Sequence, residues 1–128
     1  MIDRISAYGI SRVVIALVWV YHGLVPKLLG PHADELAIWA ALGFSRELAV
    51  PLSMSAGVIE ILFGLIVLVL WRRAWPLMVT AAAMLGLLAV AAFAVPKLLA
   101  GAFNPVTTNL CVLALCAVAL KLRQAEFA

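Results

Sequence analysis

Charge is what this chain has least of. Lysine, arginine, aspartate and glutamate together make up 12% of its 128 residues, against roughly 25% in soluble domains. That scarcity excludes a water-soluble globular domain and leaves nothing to coat a nucleic acid, because no basic patch exists outside the flanks of the apolar runs. Cysteine is also scarce. Cys111 and Cys116 are the two present, and a five-residue spacing is neither a Cys-x-x-Cys redox pair nor a metal-ligand pattern, so both read as inert residues on different faces of one helix. Metal-ligand spacings, phosphate-binding loops and nucleophile elbows are all missing.

What is present is apolar. Hydrophobic residues make up 67% of the chain, and the mean hydropathy is +1.19. Four runs, over residues 11–30, 50–71, 74–95 and 106–122, are long enough to cross about 30 Å of hydrocarbon as helices. Continuous rather than alternating apolarity excludes a barrel. The expectation is an all-α transmembrane four-helix bundle, one domain over residues 1–128. The first run has Arg4 ahead of it and Arg12 at its start but no small-residue cleavage site after it, and reads as a retained helix rather than a signal peptide.

Orientation follows from the cations. Arg4, Arg12, Arg72, Arg73, Lys121 and Arg123 flank one side, and Lys27, Arg46 and Lys97 the other. Both termini are therefore expected in the cytoplasm, in a bacterial inner membrane. Trp71 and Trp75 fit the inner aromatic belt. Proline marks three expected helix starts, at Pro51, Pro76 and Pro105, with Asn104 as an N-cap. In the long first loop, Asp34 and Glu35 open a short helical pattern that Gly43 closes, with Ile38, Trp39 and Leu42 on one face. This predicts a short helix that lies at the interface or folds over the bundle as a lid.

The string Val25-Pro26-Lys27-Leu28-Leu29 recurs as Val95-Pro96-Lys97-Leu98-Leu99, each at the outer end of a helix. Two pseudo-repeated hairpins would give this pattern, and so would chance in a leucine-rich chain.

Glu60 is the one charged residue in the run over residues 50–71. A charged side chain at the centre of a membrane helix costs about 2.5–3.5 kcal/mol on insertion scales, so a partner, a proton or a ligand is expected. Ser53, Gly57, Glu60 and Gly64 form one stripe of small residues, which aims Glu60 into the bundle. It serves there either as a functional carboxylate or as protonated packing glue. His22, roughly 12 Å deep by the helical rise, and Glu60, roughly 14 Å deep, can share a level and touch. The imidazole either relays protons or bonds a backbone carbonyl. Lys27 and Lys97 either snorkel to headgroups or, with the N-termini of the second and fourth helices, surround a site for a carboxylate, phosphate or polarised carbonyl. Thr107, Thr108 and Asn109 add polar groups beside it.

Three motifs carry a resemblance. They are His22-Gly23-Leu24-Val25-Pro26-Lys27-Leu28-Leu29, Gly57-Val58-Ile59-Glu60 with Phe63-Gly64, and Phe103-Asn104-Pro105-Val106-Thr107 with Asn109. Together they resemble the DoxX-like family of small four-helix membrane proteins. The resemblance picks out His22, Lys27, Glu60, Asn104 and Asn109, and implies association with membrane redox complexes, quinone-linked ones included. Thr108 departs from the basic residue expected of many relatives. The leading expectation is thus a membrane subunit that binds quinone, or a similar lipid-soluble molecule, for an oxidoreductase partner. A proton-linked carrier and a structural assembly subunit are the alternatives. Candidate binding residues are His22, Lys27, Glu60, Lys97, Asn104, Thr107 and Asn109. The residues assign no catalytic group and no metal, and they leave a homo-oligomer open as a further partner.

Overall fold

The computed structural model describes residues 6–128, so Arg4 lies outside the described residues. Five α-helices follow one another: α1 (Ala7–Gly23), α2 (Ala33–Ala41), α3 (Arg46–Val69), α4 (Trp75–Ala94) and α5 (Pro105–Glu126). A π-helical turn, Leu24–Leu28, extends α1, and a 3-10 turn, Pro96–Ala100, joins α4 to α5. Ala7–Leu28, α3, α4 and α5 are each long and apolar enough to cross a membrane. Ile59, Leu62, Val69, Met78 and Phe93 turn outward from them, as side chains facing lipid do. The protein is an all-α four-helix membrane bundle, and α2 is the short helix of the first loop.

The helix starts have local causes. The Ser6 hydroxyl accepts from the Gly9 N–H at 3.1 Å, and Asn104 Oδ1 accepts from the Thr107 N–H at 3.1 Å. Both are N-caps that satisfy a donor the helix cannot. Pro76 and Pro105 sit in the first turns of α4 and α5, as expected. Pro51 does not. The third helix begins at Arg46, with Ser45 as N-cap, and Pro51 lies inside it. Its first turn is closed ahead of the proline by the Ala49 N–H donating to the Ser45 carbonyl at 2.8 Å. At the sixth helical position Pro51 has no N–H for the Glu47 carbonyl and its ring crowds that carbonyl, a local cost the rest of the helix carries. The charged turn of Arg46 and Glu47 lies beyond the apolar run, which is why apolarity alone starts the helix too late.

The closest packing is between α1 and α3, which run antiparallel. A Cβ built on Gly57 would lie 2.6 Å from the Gly23 carbonyl oxygen, and one on Gly64 would lie 2.9 Å from that of Ala16. Only glycine permits this approach. The stripe of small residues is therefore the α1 contact, and Glu60 lies on it. Helix α1 also packs on α5, and α5 on α4, whereas α3 and α4 barely touch. One long seam of the bundle is thus loosely closed. At one end α2 lies across it, packed on both α3 and α4. At the other end Ile15, Val67, Leu77, Val112 and Cys116 fill the interior. Cys116 is buried there while Cys111 is exposed, as the five-residue spacing implies.

Arg12 departs from its reading as an ordinary flanking cation. It is fully buried. Its Nε donates to the Val67 carbonyl at 2.7 Å, its Nη1 to the Arg73 carbonyl at 3.0 Å, and its Nη2 to the Leu70 carbonyl. The fork satisfies the carbonyls that the end of α3 leaves open. Tyr8 completes the clamp, accepting from Arg12 Nη1 at 2.8 Å and donating to the Trp71 carbonyl.

The two copies of the repeated string occupy corresponding helix ends but differ in form. The first is the π-helical turn with Lys27 buried, and the second is the 3-10 turn with Lys97 exposed.

Candidate functional site

Pro26 shapes the site from the backbone up. It has no N–H for the carbonyl four residues back, so the helix widens there, and the Leu29 N–H donates to the Leu24 carbonyl at 2.8 Å, five residues back. The chain is then tied to its own turn by the His32 N–H donating to the Pro26 carbonyl at 2.7 Å. The wide turn delivers Lys27 to the α3 side, where its Cβ and Leu28 pack over Gly57.

The Lys27 ammonium lies 2.9 Å from Glu60 Oε1 and 3.0 Å from Oε2. It also lies 3.2 Å from Glu35 Oε1 on α2. The Lys27 and Glu60 side chains are 10% and 12% exposed, so this ion pair is largely withdrawn from solvent. Both Glu60 oxygens accept, which is the geometry of an ionised carboxylate. The sequence allowed a contact between Glu60 and His22; the partner found is Lys27. A full charge on a four-carbon stem reaches down a helix face, and in low dielectric it outweighs a neutral imidazole.

These groups form one wall of a cavity of about 560 Å³ at the loosely closed seam. It is roofed by α2, whose Glu35, Ile38 and Trp39 face it together with Leu42 just past the helix end. The lid alternative for the first-loop helix is the arrangement observed. His32 caps this lid, its Nδ1 accepting from the Asp34 N–H at 3.2 Å, and Gly43, at a φ of 92°, ends it in a conformation that suits glycine. Leu87, Val90 and Ala91 of α4 make an apolar wall opposite.

The candidate residues divide cleanly. His22, Lys27, Glu60, Asn104 and Asn109, the five picked out by resemblance, all line this cavity. His22 is half-buried and makes no side-chain hydrogen bond among the described residues. Asn109 is 5% exposed and donates to the Met84 carbonyl at 3.0 Å. Asn104 donates to the Gly101 carbonyl at 3.1 Å as well as capping α5. Lys97 and Thr107 are exposed and lie outside the lining. Lys97 rides on the 3-10 turn, and the Thr107 hydroxyl donates to the Asn104 carbonyl at 3.2 Å on the outer face. The neighbouring Thr108 faces the cavity instead.

Glu35 is the site residue that sequence reasoning missed. The signal was present, since residues 35, 38, 39 and 42 share one helix face. An acidic pair at a helix start reads first as dipole complement, which concealed the second role.

A cavity with an ion pair on one wall and aliphatic side chains on the other can hold a molecule with a polar head and an apolar body. Fold and site together define an integral membrane protein with a lidded cavity opening toward one end of its bundle. The chain belongs to the DoxX-like family, whose sequence model matches residues 16–117, a span that contains all five cavity residues picked out above. No curated protein and no solved structure matches it.

Proposed function

We propose that the protein is a membrane subunit that binds quinone, or a similar lipid-soluble molecule with a polar head, beneath α2 and holds it for an oxidoreductase partner. The carrying observation is the cavity itself. Its volume of about 560 Å³ falls within the roughly 300–1,000 Å³ of small-molecule sites. Its polar groups converge on one side, and its loosely closed α3–α4 seam faces lipid. The redox partner rests on the family association alone.

Trp19 and Trp39 line the cavity, whereas Trp71 and Trp75 do not. A short-chain quinone titrated into the purified protein should quench tryptophan fluorescence saturably. Trp39→Phe should remove much of that signal, and Ala56→Phe, which fills the space, should abolish it. Linear, non-saturating quenching shared equally by all variants would argue against the reading.

We place the α2 end outside, in a bacterial inner membrane with cytoplasmic termini. Arg12 is a buried clamp and Lys27 is paired, yet the bias persists without them, with Arg72, Arg73, Lys121 and Arg123 at one end and Arg46 and Lys97 at the other. In a cysteine-free background, a cysteine at Ser45 should react with an impermeant reagent from outside and one at Arg73 should not. The opposite labelling pattern would reverse the orientation.

A further inference from the structure

We infer that the cavity selects a head group that donates hydrogen bonds and bears no negative charge: a phenol, quinol or amine in preference to a carboxylate, a phosphate or a head with acceptors only. This rests on the cavity being the binding site, as proposed above. The sequence pointed the other way, to an electron-rich head drawn by two lysines and two helix N-termini. The structure removes each of those attractions. Lys97 is outside the cavity. The Lys27 ammonium is bracketed by Glu60 and Glu35. Helix α3 starts at Arg46, more than a turn before the residues that line the cavity, and the opening of α5 is capped by Asn104.

The charge balance is then acidic. Lys27 is the one lysine or arginine in the lining, against Glu60, Glu35 and, at the exposed mouth, Asp34. An anionic head would be brought up to this excess of carboxylates in surroundings that screen poorly.

Hydrogen-bond capacity points the same way. A carboxylate offers about four lone-pair sites. Lys27 takes one on each Glu60 oxygen and faces one Glu35 oxygen, so acceptors remain. Most side-chain donors of the lining are spent, the His22 imidazole and the Trp39 indole excepted. Asn109 serves the Met84 carbonyl, Thr108 and Asn104 serve backbone carbonyls, and the Trp19 indole serves Thr80 at 3.0 Å. A head that brings its own donors meets this wall, and a head that brings only acceptors leaves it unsatisfied. For a quinone couple the reduced form is the better ligand. A tenfold preference for it raises the two-electron potential of the bound couple by about 30 mV.

The test uses three probes with one tail: para-pentylphenol, its methyl ether para-pentylanisole, and para-pentylbenzoate. Each is titrated calorimetrically at neutral pH into the full-length protein in phosphatidylcholine nanodiscs, with empty nanodiscs subtracted. The phenol should bind at least about tenfold more tightly than the ether, as one hydrogen bond to a charged acceptor implies, and the benzoate most weakly. Glu60→Gln and, separately, Glu35→Gln should narrow the gap between phenol and benzoate several-fold. If ether or benzoate matches the phenol on the unmodified protein, the selectivity is wrong while the cavity remains a binding site. If no probe gives saturable heat, the binding-site reading fails and the selectivity with it.

Discussion

Arg12→Met should destabilise the bundle by about 3 kcal/mol or more. The guanidinium is fully buried and donates to carbonyls of Val67, Leu70 and Arg73, at and just beyond the end of α3, and to the Tyr8 hydroxyl. Each hydrogen bond to a charged group contributes roughly 1.5–3 kcal/mol, and a buried acceptor left without its donor costs about 1–3 kcal/mol. Water can reach some of these carbonyls once the side chain is gone, so the full sum is not expected. Arg12→Lys should recover only part, because one ammonium cannot reproduce a planar fork spread over three carbonyls. Reversible unfolding in mixed micelles, followed by circular dichroism, measures both. A methionine variant within about 0.5 kcal/mol of the parent, the range of an ordinary surface substitution, would mean that the clamp contributes nothing.

Lys27→Met should cost a similar amount, by a different route. It strands Glu60 beside Glu35 with no cation between them. Breaking a buried pair by removing one member typically costs about 3–5 kcal/mol, whereas replacing both members is often nearly neutral. The double variant Lys27→Met/Glu60→Gln should therefore regain most of the stability that Lys27→Met loses. A coupling energy of about 2 kcal/mol or more is expected from the cycle, within the range for residues in contact. Binding should separate from stability. The double variant should fold and still bind a short-chain quinol at least several-fold more weakly than the parent, since the ionised acceptors of Glu60 are gone. A double variant no more stable than Lys27→Met alone would show that the pair does not act as a unit. One that binds as the parent does would move the ligand away from this wall.

Much of this was legible in the residues. Continuous apolar runs fix four crossings, because a bilayer leaves the backbone no other way to satisfy itself. The spacing of Ser53, Gly57, Glu60 and Gly64 placed Glu60 against α1, because helix periodicity sets the direction of a side chain. What escaped was where long side chains put their charged ends. Lys27 and Lys97 share five identical letters, yet one turn is π-helical and the other 3-10. The difference comes from tertiary packing, since Gly23 lets α1 settle on Gly57 just before the first turn and nothing comparable precedes the second. Arg12 looked like an ordinary flanking cation because its backbone acceptors lie 55 or more residues away in sequence. Glu35 was hidden by a simpler explanation that is also true of it, as an acidic residue in the first turn of a helix.

The central claim is that the α2-capped cavity holds a lipid-soluble molecule, and filling the cavity tests it most directly. Ala56 lines it on α3, one turn before Glu60, so Ala56→Phe places a ring in the space while Lys27, Glu60 and Glu35 are all kept. Protein purified gently from membranes is extracted, and its small molecules are quantified by mass spectrometry against bulk lipid. The parent should retain one amphiphile, enriched over bulk lipid and close to one per chain, and Ala56→Phe, equally folded by circular dichroism, should not. Equal retention by both proteins, or no enrichment in either, would contradict the account.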